Sequence, residues 1–564
     1  MSQNYARLVF TLTLAFFGAF FLWPVVQILK GGFVDADGRL TFAYLGSLLT
    51  DPVYLGGLAN SFLLALTTTV FALLIALPLA FASDRFLFPG KGLLGSLILV
   101  PMILPPFVGA IGIKQILGQY GALNALLIHL GLRPAGWTFD WLGANQFLGI
   151  AVVNALSLYP IIYLNVVAAL ANIDPAMEEA AANLGCTGLR RFRRITLPLV
   201  KSGLFAGGTI VFIWAFTDLG VPLIFDYSRV TSVQVFHGLK DIGGNPFPYT
   251  LVAVMLFSSV LFYAVGKGLF GRDSHAMMAK ATSSGGPQPL PRGRAWLCAA
   301  LFGGVTFIAV LPHLGVVLVA FSSDWYAGVL PRDFTLDNFA AALGHDLTVP
   351  AIANSLKYAS LATLIDLVLG VALAHVIVRS KLAGRHLLDF LAMLPLAVPG
   401  LVLAFGYLAM SQDGKFFSFL NPVRDPTILL IIAYSVRRLP YVVRSAAAGF
   451  QQTSETLEEA AQNLGCPPLK AVVRITLPLI AANLIAGGLL AFAFAMLEVS
   501  DSLILAQKQA YYPITKAIYE LFQLLGDGKL IASALGVWAM AFLGIALAGL
   551  TILLGKKLGA IFRV

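Results

Sequence analysis

An all-helical integral membrane protein, with about twelve transmembrane helices arranged as two parallel six-helix repeats, is the fold class this sequence predicts. Three observations carry it. Of its 564 residues 59% are apolar and 11% charged, with a mean hydropathy of +0.86; soluble domains run about 45–50% apolar and about 25% charged. Charge-poor windows of about 20 residues recur along the chain. One polar sequence also occurs twice, as Glu178-Glu179-Ala180-Ala181-Ala182-Asn183-Leu184-Gly185-Cys186 and as Glu458-Glu459-Ala460-Ala461-Gln462-Asn463-Leu464-Gly465-Cys466.

The spans fall at 8–29, 59–83, 93–117, 145–171, 202–226, 248–270, 295–321, 353–378, 388–410, 427–449, 481–506 and 531–555. Each can cross a hydrocarbon core of about 30 Å at about 1.5 Å per residue. In lipid the backbone must satisfy its own hydrogen bonds, so each span is a helix. The first is too long for a signal peptide and lacks a small-residue cleavage site, so it reads as a retained helix. Residues 271–294 are rich in Gly, Ser and Pro and read as a cytoplasmic linker. They separate a first transmembrane half, 1–270, from a second, 295–564.

The halves match beyond the duplicated loop. Asn60-Ser61 opens span 2 and Asn354-Ser355 opens span 8; Pro101 and Pro105 of span 3 answer Pro395 and Pro399 of span 9; Pro160 answers Pro440. An even number of spans per half gives both copies the same topology, a parallel repeat related by an axis along the membrane normal. Lys and Arg concentrate roughly two to one on the side that holds both termini and both duplicated loops, which makes that side cytoplasmic. The net charge of +10 therefore reads as membrane orientation, and no nucleic-acid partner is expected. Cys186, Cys298 and Cys466 have no metal-ligand or disulfide spacing.

Each duplicated loop reads as a short helix, a turn and a second short helix. Asp174 before Pro175, with Glu178 and Glu179 following, is a helix N-terminus; Ser454, Glu455, Glu458 and Glu459 repeat it without the proline. Gly185 and Gly465 stand where a left-handed residue ends a helix. Ala180, Ala181, Ala460 and Ala461 leave room for close approach by a partner. Ile195-Thr196-Leu197-Pro198 and Ile475-Thr476-Leu477-Pro478 then lead into the next spans.

Glu-Ala-Ala, three residues, Gly, nine residues, Ile-x-Leu-Pro is met in full at 179–198 and at 459–478. This resembles the EAA motif of the membrane subunits of bacterial ABC importers, and the resemblance covers essentially the whole chain. It implies the type I importer fold, with both loops as coupling elements on a cytoplasmic ABC ATPase homodimer. It also implies a solute-binding protein docking on outer loops near 31–58 and 323–351. ATP and Mg would be bound by the partner ATPase; this chain has no G-x-x-x-x-G-K-[ST] loop, and no cofactor, catalytic residue or metal site is expected in it. Two fused halves with proline-rich third spans look like the ferric-iron and thiamine permease branch. Ferric iron is the first expectation for the solute, with thiamine, phosphonates and polyamines behind it. An ion-coupled secondary transporter and a non-transporting membrane scaffold are the competing classes.

Ionisable residues within spans are functional candidates. Asp218 and Glu498 are equivalent by the repeat and lie in the outer parts of spans 5 and 11. They read either as acids on a translocation pathway or as structural partners of an arginine. Arg437 and Arg438, at mid-depth of span 10, read either as a gate or anion-handling site or as an ion pair with Glu498 or Asp218. Asp366, His375 and Lys114 are weaker cases. His375 reads as an interior residue, in register with Phe81, and Lys114 as a side chain snorkelling outward.

Overall fold

The computed structural model describes residues 3–35, 37–103, 105–143, 146–171, 173, 175–241, 245–270 and 288–554. Asp174 and residues 271–287 of the expected linker lie outside the described residues. Among the described residues, eight helices are long and apolar enough to cross a membrane alone, and up to eleven spans result if each of three sharply bent helix pairs is one span. The remaining predicted span is a continuous helix, Thr427–Gln452. Every 18-residue stretch of it contains Arg437, Arg438 and Arg444, so its composition sets it apart from the others. With it, each of the twelve predicted spans overlaps a helix or a bent pair, span 11 continuing past a break into Ser500–Leu505.

The bends follow from the sequence. Span 9 runs Arg385–Ala397 and then Gly400–Met410, turned by 100°. Pro399 forces Val398 into an extended conformation (φ −97°, ψ 128°) and ends the first segment. Span 3 breaks at the equivalent place, between Val100–Ile103 and Pro106–Leu117. Where span 11 begins, the second short helix of the loop, Pro468–Leu479, meets Ala481–Met496 at 79°. Just upstream, Phe192–Thr196 and Val472–Thr476 each form one π-helical turn, with the Leu197 N–H bonded to Phe192 O and the Leu477 N–H to Val472 O. Pro198 and Pro478 come next and have no N–H to give, so a wider turn is accommodated there.

The chain packs as two compact units that do not follow the two sequence repeats. One consists of Met1–Leu55, Gln234–Leu256 and Phe339–Val564; the other of Gly56–Val233 and Phe257–Asn338. Each unit therefore contains the first span of the opposite repeat. In the former, span 1 lies on span 9: a Cβ on Gly406 would stand 2.8 Å from Pro24 Cβ, and Tyr407 Oη donates to Phe20 O at 2.8 Å. In the latter, span 7 lies on span 3, where a Cβ on Gly112 would overlap the Pro312 carbonyl. Only glycine permits either approach.

The Asn-Ser pairs have a shared task. Asn60 Nδ2 donates to Arg229 O (3.1 Å), and Ser61 Oγ accepts the Thr231 N–H (2.9 Å) at the start of helix Thr231–His237. Asn354 Nδ2 donates to Ala510 O (2.9 Å) and Tyr512 O (3.3 Å), and Ser355 Oγ accepts the Ile514 N–H (2.7 Å) at the start of Ile514–Gln523. In both units a long span thus supplies the missing N-terminal acceptor of a short helix.

Candidate functional site

The duplicated loops fold as one motif. Pro175–Asn183 and Thr456–Asn463 are the first helices. Gly185 (φ +76°) and Gly465 (φ +87°) end them in the left-handed region. In the first loop the Gly185 N–H bonds to Ala182 O and the Cys186 N–H to Ala181 O, both at 2.9 Å. In the second the Gly465 N–H bonds to Gln462 O (2.9 Å) and the Cys466 N–H to Ala461 O (3.0 Å). This is the Schellman ending, which satisfies two last-turn carbonyls. Ahead of the helix in the second loop, Ser454 Oγ accepts the Thr456 N–H at 3.3 Å.

What the motif exposes is specific. Leu184 and Leu464, each just before the glycine, are 87% and 90% exposed. Glu179, Ala180, Glu459 and Ala460 are exposed as well, whereas Ala181 is buried and Ala461 half-buried within their own loops. Glu458 is buried: its Oε1 accepts from Thr476 Oγ1 at 2.7 Å and lies 3.9 Å from Arg379 Nε. Arg379, the last residue of span 8, also meets Glu455 (3.2 Å), Phe450 O (2.8 Å) and Thr453 O. Glu458 therefore anchors the second loop to its own unit, and Glu459 is the acid left facing outward. The side chain of Glu178 lies outside the described residues. In the repeat's register Arg85 takes the place of Arg379.

Asp218 and Glu498 occupy equivalent breaks, between Lys201–Phe216 and Gly220–Ile224 and between Ala481–Met496 and Ser500–Leu505. Their main-chain carbonyls accept equivalent hydroxyls, Ser232 Oγ (2.6 Å) and Thr515 Oγ1 (2.7 Å). Their carboxylates differ. Asp218 accepts from Asn154 Nδ2 (3.1 Å) and the Gly220 N–H (3.2 Å). Glu498, 4% exposed, accepts from Arg437 Nη1 at 2.5 Å and from Arg438 Nη2. Asp501, fully buried, lies 3.5 Å from Arg437. Asp366, also fully buried, accepts from Ser435 Oγ at 2.6 Å.

The arginines are thus paired with Glu498 inside one unit. Gly400, first residue after the span 9 break, makes the space: a Cβ there would overlap the Arg437 guanidinium. In span 3 the matching position is Pro106 and span 4 offers Ser157 and Leu158, so notch and arginines occur together in one repeat. Sequence reasoning passed over Asp501, whose signal was a second acid, three residues beyond Glu498 and between Ser500 and Ser502, inside the same predicted span. Lys114 donates to Ile224 O at 3.0 Å and approaches Asp226 (3.7 Å). His375 is buried between Tyr5 and Phe450, with ring centroids 5.8 and 5.3 Å away.

The model of the binding-protein-dependent transport system inner membrane component family matches residues 72–273 and 366–556, once per repeat. The chain belongs to this family. Among its relatives, the ferric transport system permease protein FbpB of Actinobacillus pleuropneumoniae is 28% identical, over 85% of this chain and 69% of its own length. A putative ferric transport system permease protein of Haemophilus influenzae is 27% identical, over 88% of this chain and 77% of its own. The sulfate transport system permease protein CysT of Salmonella typhimurium is 26% identical but spans only 40% of this chain, with 79% of its own length covered. This permease is a multi-pass inner membrane component of a binding-protein-dependent transport system.

Proposed function

We propose that this permease imports ferric iron handed over by a solute-binding protein, driven by an ATPase homodimer that grips both duplicated loops. The observation that carries the reading is the pair of loops with one geometry. Each presents an exposed leucine, an exposed glutamate and an exposed alanine beside a left-handed glycine, and each leads through a π turn into a span. A partner built of two like subunits fits two such surfaces. The ferric assignment rests on relatives matched across both repeats, whereas the sulfate permease matches one repeat's length.

In this reading ATP and Mg are held by the partner, both termini are cytoplasmic by the Lys and Arg distribution, and the receptor docks at the opposite side. Closure of the ATPase pair would move both loops together and switch the pathway between its two accessible states. Arg437, Arg438 and Glu498 act by holding the broken spans 9 and 11 in one geometry; their burial and mutual pairing support that role over contact with solute. Asp218, half-buried and with no guanidinium paired to it among the described residues, is the better pathway candidate of the four.

The test is reconstitution of the permease with its ATPase and receptor in liposomes, followed by radiolabelled ferric iron uptake. Uptake should require ATP inside and loaded receptor outside. Uptake that runs on an ion gradient without ATP, or delivery of a different solute by the cognate receptor, would refute it.

A further inference from the structure

The two repeats differ behind their docking loops. In the first, a cavity of about 500 Å³ opens between the end of span 2 and the second short helix of the loop, walled by Leu77, Pro78, Phe81, Phe86 and Phe192, with Arg191 at its rim. That volume lies within the roughly 300–1,000 Å³ typical of ligand pockets. The corresponding place in the second repeat is occupied. His375 stands in the register of Phe81 and is stacked on Phe450 (5.3 Å, 23°), with Tyr5 against its other side and Glu458 3.8 Å from Nε2. Val472 stands where the first repeat has Phe192.

The charge differs in the same sense. Arg190, Arg191, Arg193 and Arg194 crowd the first loop just beyond the cavity, three of them exposed and Arg191 half-exposed. The second loop has only Lys470 and Arg474 over the same stretch. An aromatic-walled apolar hole lined by Arg191, with three exposed arginines beside it in sequence, at the end of a membrane span, suits a molecule with a long apolar tail and an anionic head. Guanidinium forks pair with phosphate oxygens bidentately, and basic clusters flanking a span attract anionic lipid. We propose that this cavity is a binding site for an anionic phospholipid, with one acyl chain lying along Leu77, Pro78 and the touching rings of Phe81 and Phe192 (centroids 5.4 Å apart) and the phosphate on Arg191 and its neighbours. The first docking loop would then be held by a lipid where the second is held by Arg379, Glu458 and His375.

Native mass spectrometry of the full chain, delipidated in detergent and titrated with phosphatidylglycerol, phosphatidylcholine or glycerol phosphate, tests this. Phosphatidylglycerol should be retained at least about tenfold more tightly than phosphatidylcholine, with no retention of the tail-less glycerol phosphate. Two variants should each abolish that preference: Leu77→Trp, which fills the hole and leaves the arginines, and Arg190→Gln with Arg191→Gln, Arg193→Gln and Arg194→Gln, which is on the surface and leaves the hole. Lys470→Gln with Arg474→Gln should leave it unchanged. Retention of phosphatidylglycerol by the Leu77→Trp chain would overturn the proposal, because the lipid would then sit on the surface alone. Equal loss on changing the second loop, or binding of glycerol phosphate as tight as that of the lipid, would overturn it as well.

Discussion

Replacing Glu498 with glutamine should cost far more stability than replacing its repeat equivalent Asp218 with asparagine. Glu498 is buried and its two carboxylate oxygens meet Arg437 and Arg438. Opposite charges about 4 Å apart at an effective dielectric of about 20 attract by about 4 kcal/mol. Removing one member of a buried pair costs about 3–5 kcal/mol, since the survivor stays desolvated and unpaired. Asp501, 3.5 Å from Arg437, offsets part of that loss for this arginine. Asp218 is half-buried and accepts only neutral donors, so Asp218→Asn removes about 1 kcal/mol. Thermal unfolding of the purified chain in detergent, followed by a cysteine-reactive dye, should show a drop on the order of 5 °C for Glu498→Gln and under about 2 °C for Asp218→Asn. Adding Arg437→Met, Arg438→Met and Asp501→Asn to Glu498→Gln should recover part of the loss, because no buried charge is then left without a partner there. Equal shifts for the two acids, or a quadruple variant less stable than the single one, would refute the reasoning.

The glycine notch gives a second expectation: Gly400→Ala should displace Arg437 and lower both melting temperature and transport, whereas Gly56→Ala, whose added Cβ meets nothing within 4 Å, should be neutral or stabilise by about 0.5–1 kcal/mol. Gly185→Ala and Gly465→Ala force a Cβ into the left-handed region at about 1–3 kcal/mol each; co-purification of the ATPase should fall for both, and asparagine should be milder than alanine at either position. Arg379→Gln removes the tie between span 8 and the second loop, so amide exchange across 456–466 should accelerate while 176–186 stays unchanged.

Much of this architecture was legible in the sequence because it depends on local chemistry. Span length follows from hydropathy, the breaks from Pro105 and Pro399, and the loop endings from Gly185 and Gly465, each of which acts within a few residues. The exchange of first spans was not legible, because an apolar helix carries no record of which neighbour it meets. The packing of Pro24 on Gly406, and of Pro312 on Gly112, reveals it. The choice of Glu498 over Asp218 as arginine partner was equally hidden, since the two acids are equivalent by position. The clue was the co-occurrence of Gly400 with the arginines, and it becomes readable only once the bend of span 9 places that backbone beside span 10. Glu458 looked like half of a docking pair, and its inward turn depends on Arg379, far off in the chain.

The borrowed first spans also set a timetable for biogenesis. Span 1 leaves the ribosome hundreds of residues before span 9, whose Gly406 receives Pro24, is made. At about 5–20 residues per second, that helix waits roughly 20–70 s for its permanent neighbour, and the third span waits about half as long for the seventh. In the meantime the Phe20–Pro24 face of span 1 and the Gly112 face of span 3 are without these contacts, and a ribosome that stalls near the middle of the message would leave span 1 without span 9.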